Sequence, residues 1–163
     1  MSFGDGNARV TFLRTAAETG GELHEQRVEY APSSAFPPAH FHPDQDEHFA
    51  VESGRMVFEV EGAEREVGAG GEISIPRGAR HRARNASATE PAVVRWETRP
   101  ALRTGEFQAT AYRLGPDAGL LASALLAHEY HDVFRISGSS RLLVPVLGRL
   151  ARVARRTLPP IGD

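Results

Sequence analysis

The chain has 163 residues and a formal net charge of −2, contains no cysteine, and carries arginine at all 19 of its basic positions. The near-balanced charge argues against nucleic-acid binding. Without cysteine or lysine, the chain offers no thiolate metal site, iron–sulfur cluster, cysteine nucleophile or Schiff-base lysine. No segment approaches about 18 consecutive apolar residues, and the N-terminus lacks the pattern of a signal peptide. We therefore expect a cytoplasmic protein that does not associate with membranes.

The first 100 residues predict a series of short β-strands. Apolar runs are interrupted by glycine and proline at a spacing of about 8–12 residues, which is typical of an all-β sandwich or barrel. In chain order, the predicted strands are residues 9–14, 22–30, 47–52, 55–61, 63–67, 72–75, 80–84 and 92–98. Ser53-Gly54 is expected to join two of them in a hairpin.

Alternation along these strands indicates which side chains point inward. In residues 22–30 the charged residues share one face, so His24, Gln26 and Tyr30 are predicted to face the interior. In the hairpin, the inward faces are predicted to carry Glu47, Phe49, Val51, Met56, Phe58 and Val60.

After residue 100 the pattern becomes helical. Residues 120–134 have helical spacing and alanine–leucine content, and Ser139 or Ser140 is expected to cap a last helix that runs to about residue 156. This last helix would have one apolar and one arginine-rich face, and Pro145 fits it only near its start or at a kink. We therefore divide the chain into a barrel, residues 1–100, and a helical tail, residues 101–163. The tail could cover the barrel mouth, pack on the outer sheet or join a dimer.

Four potential metal ligands stand at suggestive positions. His40 and His42 are two residues apart, so on a strand both rings point to the same side, and Glu47 and His81 can complete the set. Neutral imidazole and carboxylate are both good ligands for divalent transition metals. The pattern predicts a three-histidine, one-carboxylate metal site inside a β structure.

These residues belong to two blocks that resemble the motifs of the cupin superfamily. The first is His40-x-His42-x4-Glu47-x6-Gly54, and the second is Gly70-x5-Pro76-x-Gly78-x2-His81-x3-Asn85, fifteen residues later. One departure is Ser34, which stands where the family often has glycine. The resemblance implies an all-β fold, an antiparallel jelly-roll (cupin) barrel, followed here by a C-terminal α-helical extension. It also implies that one divalent metal is held by His40, His42, Glu47 and His81.

Such a metal centre predicts enzymatic chemistry on a small organic substrate. The ion could be iron, manganese, nickel, cobalt, copper or zinc, and an octahedral ion would keep two open positions. Oxygenase chemistry of the dioxygenase type and redox-neutral isomerase or cyclase chemistry both remain open. The alternative is a non-catalytic module that binds a metal or small ligand. Because small cupin barrels often pair through their sheets, we expect a homodimer.

The inward faces predict an apolar or aromatic substrate pocket. Its walls would be Phe49, Met56, Phe58 and Trp96. Gln26 is a candidate polar substrate-binding group, and His24 and Tyr30 are candidate catalytic acids or bases.

Overall fold

The computed structural model describes residues 1–115 and 117–137, and it consists of two antiparallel β-sheets followed by two helices and a short last strand. The strands are β1 (Ser2–Gly4), β2 (Ala8–Arg14), β3 (His24–Tyr30), β4 (His40–Phe41), β5 (Asp46–Ser53), β6 (Arg55–Val60), β7 (Ala63–Gly68), β8 (Glu72–Ile75), β9 (His81–Asn85), β10 (Ala92–Arg99) and β11 (Arg135–Ile136). The helices are α1 (Thr104–Leu114) and α2 (Gly119–Glu129). No helix in these described ranges is long and apolar enough to span a membrane.

The strands are distributed between a larger and a smaller sheet. The larger sheet has the order β1-β2-β3-β10-β5-β8, and the smaller has the order β11-β4-β9-β6-β7. Consecutive strands β5 and β6 belong to different sheets, so the chain crosses between the sheets at Gly54. The predicted hairpin at Ser53-Gly54 is therefore wrong, because β5 pairs with β10 and β8 while β6 pairs with β7 and β9. This arrangement confirms the predicted antiparallel β fold with a helical extension.

The hydrophobic core lies between the two sheets. Phe49 of the larger sheet and Phe58 of the smaller sheet place their ring centroids 5.2 Å apart. Val51, Met56, Val67, Ile75 and Val94 complete the buried cluster. The alternation predicted for β5 is confirmed, since its residues are buried at every second position from Glu47 to Val51.

Gly54 is required by the crossing between the sheets. Its φ is +75°, and a Cβ at this position would lie 2.6 Å from the Pro91 carbonyl oxygen and 2.7 Å from Ala92 Cα. A side chain would therefore meet both conformational strain and a steric clash. This explains in physical terms why the first motif block ends in glycine.

The helical region differs in detail from the prediction. The sequence pattern did not predict α1, and the predicted helix at 120–134 ends earlier, as α2 ends at Glu129. The chain then turns, because the amides of Val133 and Phe134 both donate to the Tyr130 carbonyl. The predicted helix from 139 or 140 to 156 lies outside the described residues.

A network of contacts around Arg103 joins the two helices. The Arg103 guanidinium, just before α1, donates to Asp132 at 2.6 Å and to the Glu129 carbonyl at 2.8 Å. It also lies over the Tyr130 ring, 4.8 Å from its centroid. These contacts hold the start of α1 beside the end of α2, and they orient the segment that follows α2.

Candidate metal centre

Three histidines of the smaller sheet converge at the mouth of the barrel. His40 of β4 pairs in register with His81 of β9, and His42 lies just past the end of β4. Their ligand-forming nitrogens all lie within 4.8 Å of one another, and His42 and His81 are buried. The structure therefore brings together three of the four predicted ligands as one triad.

The histidine tautomers are defined by backbone carbonyls. His40 Nδ1 lies 2.9 Å from the Pro38 oxygen, His42 Nδ1 2.6 Å from the Val133 oxygen, and His81 Nδ1 3.0 Å from the Ala79 oxygen. A carbonyl oxygen only accepts, so each Nδ1 must carry the proton and donate. In the neutral ring the Nε2 lone pair is then free to bind a metal, and the carbonyl holds the ring in place.

Glu47 faces the triad from the larger sheet. Its Oε1 lies 3.2 Å from His42 Nε2 and accepts a hydrogen bond of 3.0 Å from Trp96 Nε1. Its Oε2 lies 2.8 Å from His81 Nε2, but the two atoms are not aligned as a hydrogen bond. Among the described residues, His42 Nε2 and Glu47 Oε2 are thus buried atoms without a hydrogen bond. Buried polar atoms of this kind need a partner, and a cation between them would supply it.

The electrostatics of the four groups favour a cation. Burial, together with the nearby His81 and His42 rings, lowers the pKa of His40 to about 3. Burial would raise the pKa of Glu47, but the neighbouring His42 and His81 rings outweigh it and hold this pKa at about 2. Burial would lower the pKa of His81, but the adjacent Glu47 raises it. A neutral His40 beside an ionised Glu47 is the protonation state in which both can act as ligands.

A cavity of about 420 Å³ opens onto the triad. This volume is in the range of small-molecule binding sites, about 300–1,000 Å³. Its walls are largely aromatic and come from both the barrel and the tail: Phe36, Phe49, Trp96, Phe107 and Phe134. The lining also includes Tyr30 of β3 and the α1 residues Gln108 and Tyr112.

The tail supplies one side of this cavity. Thr104, Phe107, Gln108 and Ala111 of α1 line it at helical spacing. Phe134, which follows α2, places its ring centroid 4.6 Å from that of His40 and 4.8 Å from that of Phe107. β11 then pairs with β4 beside His40. The tail therefore packs against the histidine triad itself.

The predicted pocket residues fall into two groups. Tyr30, Phe49 and Trp96 line the cavity. Met56 and Phe58 do not line it, because both are 0% exposed within the core between the sheets. Alternation along a strand indicates burial, but it does not distinguish a core side chain from one beside a cavity.

His24 and Gln26 are also buried, but away from the cavity. His24 packs on the Phe12 ring at 4.5 Å and against Gly105 of α1, and its Nε2 lies 3.3 Å from Gln26 Oε1. Burial lowers the pKa of His24. We therefore assign neither residue a role at the triad or in the cavity.

Two motif residues outside the ligand set have structural roles. Asn85 Nδ2 donates to the carbonyls of Glu90 at 2.7 Å and Ala31 at 3.1 Å, which joins two loops to the end of β9. Ser34, the departure from the family pattern, accepts at its Oγ a 3.0 Å hydrogen bond from the main-chain N–H of Asn85. The serine thus connects the loop before His40 with the strand that carries His81.

Comparison with known proteins identifies the class. A family profile described as Cupin domain matches residues 26–96, which include the triad and Glu47. Together with the two antiparallel sheets, this match identifies residues 26–96 as a cupin domain. Both helices lie outside the matched segment.

Solved structures agree with this fold. KdgF from Halomonas sp. is 21% identical and aligns over 59% of this chain and 82% of its own, with a TM-score of 0.50. An uncharacterized conserved protein with a double-stranded β-helix domain from Klebsiella pneumoniae is 18% identical. It aligns over 61% of this chain and 77% of its own, with a TM-score of 0.53. TT1209 from Thermus thermophilus is 21% identical and aligns over 60% of this chain and 88% of its own, with a TM-score of 0.52. At these identities the likeness concerns the fold alone, and no curated protein matches the chain in sequence.

Proposed function

We propose that this protein is a metal-dependent cupin enzyme that acts on a small, largely apolar or aromatic substrate. The observation that carries the proposal is the convergence of three histidines whose Nδ1 atoms all face backbone carbonyls. Their Nε2 atoms are thereby left for a metal at the opening of an aromatic cavity. Glu47 is proposed as the carboxylate ligand, because its oxygens face two of these nitrogens.

Each group has a defined part in this proposal. When bound, a divalent transition metal would supply a Lewis acid, an activated water or a redox centre. The aromatic walls bind the apolar part of the substrate, and Phe107 and Phe134 exclude water from the triad. Burial, with the nearby Tyr112 and Glu47 groups, raises the pKa of Tyr30, so its phenol holds its proton and can donate to an oxygen of the substrate.

Metal content is the first test. Protein purified without a metal-affinity tag should contain close to one transition-metal ion per chain, or take it up after chelation and reconstitution, as measured by elemental analysis. His81→Ala should lose most of this metal. His48→Ala is the matched control, because His48 lies on β5 with its Nδ1 3.0 Å from Ser74 Oγ and does not line the cavity. A wild-type protein that stays free of metal after reconstitution would overturn the proposal.

Turnover is the second test. The loaded protein should convert an aromatic chelating probe, 4-butylcatechol, or an enolisable one, 2,4-pentanedione. Oxygen uptake would indicate oxygenase chemistry, and product formation without oxygen uptake would indicate isomerase or cyclase chemistry. Tyr30→Phe should retain the metal and lower turnover about 10²-fold if the phenol is the proton donor. Stoichiometric metal without conversion of either probe would favour the non-catalytic binding module.

The predicted homodimer remains a prediction. Sedimentation of the full chain at several protein concentrations would test it, and a concentration-independent monomer would contradict it.

A further inference from the structure

One face of α1 brings polar groups into the largely apolar cavity. Gln108 and Tyr112, four residues apart on the helix, both line it. Gln108 is only 6% exposed, and its Oε1 has no hydrogen-bond partner among the residues that the structure describes. A buried acceptor without a donor is unfavourable, so the amide is suited to a ligand that brings a donor.

Tyr112 lies farther along α1 from the triad than Phe107 does. At the start of α1, Phe107 stacks on Phe134, which packs on His40. Five residues later, Tyr112 stacks on Phe3 of β1, with ring centroids 6.3 Å apart. Five helical residues rise about 7.5 Å along the axis. A ligand bound at the triad would therefore need to extend along α1 to reach Tyr112.

The charges around the cavity favour a neutral group at that end. Asp5 is the one charged side chain among the described lining residues apart from the histidines, and its Oδ1 already accepts from the Asn7 and Ala8 amides at 2.7 and 2.9 Å. No arginine in the described part of the chain lines the cavity, so an anionic group would find no countercharge. Burial and the nearby Asp5 raise the pKa of Tyr112 to about 12, which leaves its phenol protonated as a donor.

We propose that Gln108 and Tyr112 form a recognition site for a hydroxyl group at the end of the substrate remote from the metal. A hydroxyl matches both residues, because its proton can be donated to Gln108 Oε1 while its oxygen accepts from the Tyr112 phenol. The inference rests on the proposed function for the position of the other end of the substrate at the triad. It makes the C-terminal helical extension a determinant of substrate choice.

Three catechol probes that differ at one end test the recognition site. They are 4-butylcatechol, 4-(4-hydroxybutyl)catechol and 4-(4-methoxybutyl)catechol, titrated calorimetrically into zinc-loaded and metal-free protein. The hydroxyl probe should bind about tenfold more tightly than the butyl probe. The methoxy probe should lose most of this gain, because it cannot donate to Gln108.

Variants assign the gain to the two residues. Gln108→Leu should bring the hydroxyl-to-butyl affinity ratio close to one, and Tyr112→Phe should lower it severalfold, with little change for 4-butylcatechol. The matched controls are Tyr130→Phe, which removes a phenol hydroxyl outside the cavity, and Glu106→Gln on the exposed face of α1. Both controls should keep the wild-type ratio. Thermal unfolding and zinc content of each variant show that it is folded.

The outcomes separate this inference from the proposed function. Equal affinity for the hydroxyl and butyl probes in the wild-type protein, or an unchanged ratio in both cavity variants, would overturn the recognition site. A hydroxyl preference that persists while zinc adds nothing to the binding of any probe would retain the site and overturn the metal-centred function. Failure of all probes to bind, with and without zinc, would overturn both.

Discussion

Phe134 connects the helical tail with the histidine triad, and its removal should weaken both the fold and the proposed metal site. Its ring packs on His40 and on Phe107, at centroid distances of 4.6 and 4.8 Å. The preceding residue, Val133, provides the carbonyl that accepts from His42 Nδ1 at 2.6 Å. Phe134→Ala removes the side chain that anchors this carbonyl, while the backbone that carries it remains.

Two magnitudes follow from these contacts. Truncating a fully buried phenylalanine costs about 3–5 kcal/mol. Phe134 is only partly buried, so we expect the free energy of unfolding to fall by about 2 kcal/mol. Loss of a group that orients a metal ligand typically lowers affinity about 10–100-fold. Because the Val133 carbonyl is still present, we expect about tenfold, which corresponds to about 1.4 kcal/mol.

Two assays separate these effects. Urea unfolding in the presence of a chelator measures the metal-free protein, so that metal binding does not contribute to its stability. Competition with a chromophoric chelator measures zinc affinity. The matched control is Phe12→Ala, which removes a partly buried ring that packs on Phe3 and His24 and does not line the cavity. It should lose comparable stability and keep the zinc affinity. Equal zinc affinity of the two variants would refute the link between the tail and the triad.

Three further predictions concern the barrel. Gly54→Ala should destabilise the protein by about 3 kcal/mol, because the added Cβ would lie 2.6 Å from the Pro91 oxygen at a positive φ. Asn85→Ala should cost about 2 kcal/mol in urea unfolding, because two loop carbonyls lose their donor. The pKa of His24 is lowered in the folded state. When the pH falls below 6.5, the ordinary pKa of histidine, the unfolded chain therefore binds more protons than the folded protein does. The stability of the wild-type protein should therefore fall as the pH decreases below that value, and it should fall less in His24→Leu.

Each of these predictions has its own control. Gly62 also has a positive φ, +84°, but nothing lies within 4 Å of an added Cβ, so Gly62→Ala should cost only about 1 kcal/mol. If Gly54→Ala and Gly62→Ala lost the same free energy of unfolding, the predicted steric clash at residue 54 would be contradicted. Unchanged urea unfolding of Asn85→Ala would mean that water replaces the lost donor. For His24, the same loss of stability from pH 7.5 to 5.5 in the wild-type protein and the variant, both free of metal, would contradict the assignment.

Much of the barrel and of its ligand set is predictable from local pattern. The alternation of Glu47, Phe49 and Val51 predicted β5 and its inward face, and Ser53-Gly54 marked the end of this strand, although the chain crosses to the other sheet there and forms no hairpin. The spacing of His40, His42 and His81 within the two motif blocks predicted the triad that the structure shows. These features are local because a turn and a two-residue period depend on neighbours in the chain.

The tail was harder to predict. The buried residues of α1 include Thr104, Gln108 and Thr110, so its inward face carries no hydrophobic stripe. A search for apolar periodicity therefore misses the helix, and it equally misses the polar lining that the helix gives the cavity. The end of α2 at Glu129 depends in part on Arg103, which lies in a different segment and binds the Glu129 carbonyl.

By itself, then, the sequence determined most strands of the first 100 residues, the inward face of β5 and the types of candidate metal ligand, because each of these is encoded within a few consecutive residues. Only the tertiary structure decided which buried side chains meet a cavity and which meet the core. Phe49 and Phe58 both belong to the core cluster and lie on inward faces, but only Phe49 also lines the cavity. The tertiary structure also joined His42 to the carbonyl of Val133, 91 residues away. A main-chain carbonyl has no side-chain signature, so its contact with the histidine triad arises only when the chain folds back on itself.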